Sequence, residues 1–589
     1  MKKMLALILA LVMVMSIGAS AVAEQPMIAK VMLGGGTPES MDPALNSASV
    51  GSNLIRLGHA GLMGTRVVDG VATKEPELAE SYTVSDDLLT YTFVLREGLK
   101  WSDGSDFVAS DVVKSWNRAA DPDLGADYGF LFDVIEGYGV KDGLNVVADD
   151  AARTVTVKLV APCAYFLELC GFTTYDIVKV ENADAEGSWA IDPAKNVGMG
   201  PFRMTSFKVD DVVSFEKNPY YWNAENVQLD GVNAYLSEDP VAILAAYEAG
   251  SVDLIQSIDP AEYDRINATY PGELVIYPQI GTWYVLFNVH KDLSPEGKTL
   301  TQAQQSQARY ALGLMVNRQD LVDYVTMGGQ APATGFFPIG LGDANKGVAR
   351  GEGELYGEWY TGTATYSTEY PTYTEDQVKA VEILMELYDY TGSLAEGNIT
   401  FTNMPGFEFA FNNSAANAAI IQYVQETWNQ FGIQATISTE AWATLQTKLG
   451  KGDAEASRMG WVADFNDCVN FMEIFASYSG NNYPRLGQDL GEYTRNTEAT
   501  KDAGTGAYWG WNNDQTWADA YDSLIAKVKV ESDGQKRAEM CAEAEKILMA
   551  TGAVAPMYYY TNPTMVKPAV ENLAVLPTGD IVWNYATIK

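Results

Sequence analysis

Histidine and cysteine are scarce in this chain. His59 and His290 are its two histidines, and Cys163, Cys170, Cys468 and Cys541 its four cysteines, in 589 residues. Their spacing matches no zinc pattern, and neither histidine stands in a nucleophile motif. A structural zinc site and a His-dependent nucleophilic triad are therefore set aside. No nucleophile elbow or HExxH-like stretch is present. We expect no cofactor and no metal. Positive charge is also in deficit: 39 Lys and Arg stand against 77 Asp and Glu, a formal net charge of −38. Such a balance argues against nucleic acid and anionic membrane surfaces as partners, because both repel an acidic chain. Past the N-terminus no segment is long and apolar enough to span a bilayer.

The N-terminus itself does carry an apolar run. Lys2 and Lys3 precede Leu5 to Met15, and the small residues Ser16, Gly18, Ala19, Ala21 and Ala23 come after it. This is the pattern of a secretory signal, residues 1–23, cut before Glu24. The run falls short of the ~20 residues of a spanning helix, and no cysteine near the cut offers a lipid-anchor site. The mature chain is expected to be exported, periplasmic or on the outer face of the cytoplasmic membrane. Disulfides are permitted there, with their pairing left open. A mature chain of about 565 residues exceeds one core, so two or three lobes are expected. Hydrophobic residues at 47% and 33 tyrosines make it globular.

Strand and helix signals interleave. Thr90 to Arg96 alternates apolar Tyr91, Phe93 and Leu95 with their neighbours, a strand with one buried face. Ser110 is positioned to cap a helix carrying Val112, Val113, Trp116 and Ala120. Ala151 to Val160 alternates again. Thr374-Glu375-Asp376-Gln377 is a capping box opening a helix with Val378, Val381, Leu384, Met385 and Tyr388 on one face and Gly392 as its stop. Asn417 to Phe431, closed by Gly432, is a second helix, with a strand next at Ile433 to Ile437. Ser532 to Gln535 opens another helix through Met549, ahead of the strand Met557 to Tyr560. This order predicts an α/β class. Stretches 340–373 and 480–516, rich in Gly, Tyr, Thr and Asn, read as long ordered loops or insertions.

Several stretches resemble one family. Glu75-Pro76-Glu77-Leu78-Ala79-Glu80-Ser81-Tyr82, then Trp101-Ser102-Asp103-Gly104-Ser105, then Gly198-Met199-Gly200-Pro201-Phe202 and Lys217-Asn218-Pro219-Tyr220-Tyr221-Trp222 keep the order of extracytoplasmic solute-binding proteins of the peptide/nickel ABC-transporter type. Arg309-Tyr310-Ala311-Leu312 with Val316-Asn317-Arg318 continues the likeness, with Asn317 where the family's motif has Asp. Gly198 and Gly200 read as positions needing unusual torsions. Arg458 to Asp467 and Val554 to Pro563 resemble the oligopeptide-binding branch. The resemblance implies a two-lobed periplasmic-binding-protein-like fold, class II, of the large type with an extra subdomain. Lobe I is expected at 24–70, 190–280 and 556–589, the subdomain at 71–189 and lobe II at 281–555. Crossings are expected near Pro278 to Trp283 and near Ala553 to Pro556. It also implies a monomer that takes short peptides to the permease subunits of an ABC importer.

The resemblance further implies that Asp464 grips the peptide's α-ammonium and that Arg458 meets a carboxylate. The chemistry suits those residues. A receptor for varied peptides must hold what all share, the two charged ends and the backbone, and each end loses water in a closed cleft. A carboxylate and a guanidinium replace that water with charge-assisted hydrogen bonds. In an extended segment, six positions put both side chains on one face about 20 Å apart, too far to satisfy each other. Gly460, Trp461 and Val462 between them could pair with ligand backbone, and the family places a second backbone edge at the match to Gly51, Ser52 and Asn53. Trp442 and Tyr128 align with aromatic pocket positions. Against this, Arg458 could pair with a local acid such as Glu455, Asp464 could cap a turn with Asn466, and Trp461 could simply pack. Rival functions keep the fold with another cargo (an oligosaccharide, a nickel complex or haem), or discard it for a secreted carboxylate-pair hydrolase.

Overall fold

The computed structural model describes residues 26–68, 71–341, 359–488 and 517–589. The signal segment 1–23, 342–358 of the Gly/Tyr-rich stretch 340–373, and 489–516 of the stretch 480–516 lie outside the described residues.

Two long strands organise the chain. Leu274–Phe287 and Val554–Val566 pair antiparallel and run side by side through an eleven-stranded sheet. On one flank lie Leu254–Ile255, Ile28–Met32, Gly231–Tyr235, Val212–Lys217 and Phe202–Lys208. The other flank holds Ala456–Val462, Phe407–Asn412 and Ala435–Glu440. The long pair breaks register in the middle. Pro278 faces Thr561 and Thr282 faces Tyr559, so the three residues Gln279 to Gly281 stand opposite Tyr560 alone. Such a bulge bends a strand and sharpens its twist. Gly281 is required there: a Cβ would sit 2.8 Å from Tyr560 Cδ2 and 3.0 Å from the Trp461 carbonyl oxygen.

A separate antiparallel sheet orders Ala79–Val84, Thr90–Leu95, Thr154–Lys158 and Val146–Asp149. Its second strand buries Tyr91, Phe93 and Leu95, as the alternation predicts. The blocks Glu75–Tyr82 and Lys217–Trp222 meet: Glu77 accepts hydrogen bonds from Tyr221 Oη at 2.6 Å and Trp222 Nε1 at 2.8 Å. Motifs far apart in sequence thus serve one buried contact.

Capping is where sequence and structure part. Helix Glu375–Leu387 has the expected box, with Thr374 and Gln377 each bonding the other's backbone N–H. It stops at Leu387, where Tyr388 turns extended. Gly392 lies further on, at φ +82°, in the hairpin between Tyr390–Thr391 and Thr400–Phe401. Helix Ala109–Ala119 starts one residue before Ser110, so Ser110 is no cap. Its Oγ donates to Asp150, and the Asp111 carboxylate accepts from the Val108 N–H instead. Gly198 and Gly200 have no left-handed torsion. They are glycines because a Cβ would lie 2.0 Å from the Gly58 carbonyl oxygen at Gly198, and 2.7 Å from the Gly58 carbonyl carbon at Gly200. Cys468 and Cys541 form a disulfide, and Cys163 and Cys170 are buried thiols.

Candidate functional site

Strand Ala456–Val462 lies against Leu274–Phe287 for its whole length, from Phe287 opposite Ala456 to Gly281 opposite Val462. On its other edge Phe407–Asn412 reaches Ala456 and Ser457 alone. From Arg458 to Val462 that edge has no strand partner among the described residues. Gly460 is needed here, since a Cβ would fall 2.1 Å from Tyr560 Oη. The same tyrosine lies over Gly281, so its ring fills the bend between the long strands.

Beyond the strand, the Ala463 N–H donates to the Ile280 carbonyl at 2.8 Å and the chain turns at Asp464. The segment after this turn is firmly held. Asp467 and Arg537 are a fully buried ion pair, with Arg537 Nη2 at 2.7 and 2.5 Å from the two carboxylate oxygens. Next to it, the Cys468–Cys541 disulfide ties this turn to helix Gly534–Ala550. Asn470 then reaches back. Its Nδ2 donates to Asp464 Oδ2 at 2.8 Å, and its Oδ1 accepts from the Asp464 N–H and from Trp461 Nε1, both at 3.1 Å. From the four-stranded-sheet unit, Tyr128 Oη donates to Asp464 Oδ1 at 2.8 Å.

Each Asp464 oxygen thus accepts one hydrogen bond, and a carboxylate has about four acceptor positions. Burial raises the Asp464 carboxyl to about 6, against the hydrogen bonds from Asn470 and Tyr128, which hold it down; the charge of Asp580 adds to the rise. A carboxylate kept short of solvent and of a counter-ion is one that gains from a cation.

Asp464 lies on the wall of a cavity of about 1150 Å³. Phe465, Tyr277 and Ile280 also face it, as do two ion pairs, Arg56 with Asp580 at 3.2 Å and Lys74 with Glu168 at 3.4 Å. Of the ten candidate residues, Asp464 alone lines this cavity. Tyr128 joins it through the shared hydrogen bond, and Trp461 through Asn470. Arg458 does not reach the cavity wall and does not pair with Asp464. Its Nε donates to Asn412 Oδ1 at 2.8 Å, Nη2 bonds the same oxygen, and its guanidinium sits 5.6 Å from the Trp442 ring centre. Glu455 is occupied by Lys291 at 2.5 Å, and Asn470, not Asn466, holds Asp464. Val462 pairs with Gly281 at the bend.

Gly51, Ser52 and Asn53 depart from expectation. They lie inside helix Ser49–Gly58, where the Ser52 N–H bonds the Ala48 carbonyl. A helical backbone points its N–H and C=O groups along its own axis and offers no strand edge. The Asn53 side chain is spent as well, accepting the Ile581 N–H at 2.8 Å. Asn470 is absent from the sequence-derived candidates; no sequence pattern marks a side chain that bonds six positions back.

Among the described residues, side-chain contacts join the four-stranded-sheet unit to the segment around Asp464. Besides Tyr128 with Asp464, the rings of Tyr165 and Phe465 stack at 5.3 Å, and Lys529 bridges Asp133, at 3.5 Å, and Glu473. Among the described residues no group of three or more His, Cys, Asp or Glu is placed to hold a metal ion. No helix among them is long and apolar enough to cross a membrane.

Residues 73–483 match the middle region of the bacterial extracellular solute-binding proteins, family 5. The chain belongs to that family. Family 5 members are solute-binding proteins, not enzymes. The oligopeptide-binding protein OppA of Bacillus subtilis (strain 168) is 27% identical over 575 residues, covering 94% of this chain and 91% of the relative. A probable deoxycholate-binding periplasmic protein of Escherichia coli (strain K12), YgiS, is 25% identical over 558 residues, covering 93% and 91%. The crystal structure of Haemophilus influenzae OppA in complex with RPPGFSPFR superposes with a TM-score of 0.72 at 23% identity, covering 96% of this chain and 99% of that one. This last likeness establishes the periplasmic-binding-protein type of fold.

Proposed function

We propose that this family 5 protein captures short peptides between two lobes and passes them to the permease of an ABC importer. The observation that carries the reading is the Asp464 carboxylate: half-buried, fixed from both sides, with acceptor positions left over, on the wall of a large cavity. A neutral sugar can offer such a group only hydroxyl donors, whereas a peptide's ammonium end also brings the compensating charge. The open edge from Arg458 to Val462 supports strand-like pairing with ligand backbone. A ligand anchored at Asp464 would run antiparallel to that strand, so its carboxylate end would head for Arg458 and Trp442. Six residues of strand reach about 20 Å, so Arg458 would serve the longer ligands. The Haemophilus influenzae OppA structure, which holds RPPGFSPFR, agrees with this reading.

For the lobes and the 71–189 subdomain we propose the limits expected from the sequence, with one refinement. The register break supports hinges at Pro278 to Thr282 and, on the partner strand, at Tyr559 to Thr561, further along than Ala553 to Pro556. Hinge closure around ligand is a standard device of two-lobed receptors. Export past the cytoplasmic membrane belongs to the same proposal. Native mass spectrometry of the protein purified without denaturant tests it. Bound masses of short peptides, released unaltered, are expected; a sugar or metal complex, or cleavage of added peptide, would contradict it.

A further inference from the structure

Beside the main cavity lies a smaller chamber of about 70 Å³. The two share lining residues at Arg56, Thr65, Gly171, Leu576, Asp580 and Val582, so the Arg56–Asp580 ion pair borders both. Asp176 faces the chamber. It is 5% exposed, and its Oδ2 has no hydrogen-bond partner. A carboxylate oxygen left bare in the interior carries an uncompensated desolvation cost. Glu77 also lines the chamber, but it is already held by Tyr221 and Trp222. His59, on the same wall, is neutral, lowered to about 4 by burial. The charges acting on Asp176 are Arg56 and Lys74 on one side and Glu77 and Asp580 on the other. With Asp176 ionised, it joins Glu77 and Asp580 against Arg56 and a Lys74 already paired with Glu168. Burial raises Asp176 to about 7, so the chamber spares itself that excess by holding a proton.

The space suits a charged tip rather than a whole residue, since a water occupies roughly 30 Å³. We propose that this chamber is a subsite for the cationic end of a ligand side chain, a lysine-type ammonium that passes the Arg56–Asp580 pair and bonds the Asp176 carboxylate. The inference rests on the peptide reading and adds a side-chain preference to it.

Calorimetry with trialanine and its single-lysine and single-norleucine variants at each position tests it. Norleucine keeps the methylenes of lysine and drops the ammonium. At one position lysine should bind about tenfold tighter than norleucine, the equivalent of ~1.4 kcal/mol. Asp176→Asn should bring that ratio to about one. A second readout needs no variant: at pH 7, in buffers of different ionisation enthalpy, the lysine peptide should release more protons than its norleucine partner, because an arriving cation ionises Asp176. Equal affinity at all three positions, a ratio that survives Asp176→Asn, or equal proton release would overturn the subsite. A protein that binds trialanine yet shows no lysine preference overturns the subsite alone. One that binds none of the peptides overturns the peptide reading and the subsite with it.

Discussion

Tyr128 Oη donates a 2.8 Å hydrogen bond to Asp464 Oδ1 across 336 positions of sequence. Tyr128 precedes the short helix Gly129–Val134 of the four-stranded-sheet unit, and Asp464 comes after the strand Ala456–Val462 of the large sheet. The carboxylate we propose for the ligand's ammonium is thus also a contact between the two units. Ligand and closure then act on one group, and a ligand shifts the open–closed balance only by its preference for one state.

Removing that hydroxyl should weaken the closed form. Tyr128→Phe deletes one hydrogen bond to a charged group, worth about 1.5–3 kcal/mol. Peptide affinity should fall by roughly tenfold or more, with the thermal midpoint little changed. Calorimetry beside a thermal melt checks this; unchanged affinity would separate Tyr128 from the site.

Acid should release ligand. Asp464 sits at about 6 without ligand, raised by burial. An ammonium favours its ionised form, so binding lowers that value. Affinity for a peptide without lysine should be level near pH 7 and fall toward about tenfold per unit below pH 6. The peptide's own α-amino group, near 8, should weaken binding again at high pH. Titrations from pH 5 to 9 read both limbs, and Asp464→Asn should flatten the acid one.

The support behind Asp464 is costly to break. Arg537→Met removes the cation paired with the fully buried Asp467. Loss of one member of such a pair costs about 3–5 kcal/mol, so the unfolding midpoint in urea should drop markedly. A midpoint within error of the parent would show that the pair does not hold this turn.

Lys529 spans the two units through Asp133 and Glu473. Lys529→Met should shift the unliganded protein toward an open form. Small-angle scattering should record a larger radius of gyration that contracts when peptide is added. Identical unliganded profiles for parent and variant would remove the bridge from the closure.

What the sequence disclosed was local. The alternation at Thr90–Leu95 and the Thr374–Gln377 box depend on neighbours within a few positions, and both are found in place. Ser110 does not cap as expected, because Asp111, one residue on, caps with its own side chain. Gly198 and Gly200 are required, as their sequence context suggests, but for a reason that lies in Gly58, far away in sequence. The Cys468–Cys541 pairing, the Asn470 clasp and the partnering of Tyr128 with Asp464 are tertiary, and no period or motif encodes them. Likewise, the segment Gly51 to Asn53, expected from the resemblance to offer a backbone edge, is a helix whose apolar positions Leu54, Ile55 and Leu57 are buried.

The account turns on charge compensation at position 464. A tripeptide and its N-acetyl derivative, each titrated calorimetrically into the parent protein and into Asp464→Asn, measure it as a double cycle. Acetylation should cost the parent at least about a hundredfold in affinity, ~2.7 kcal/mol, and cost the variant almost nothing. Equal binding of both peptides to the parent would mean that the amino terminus is held elsewhere.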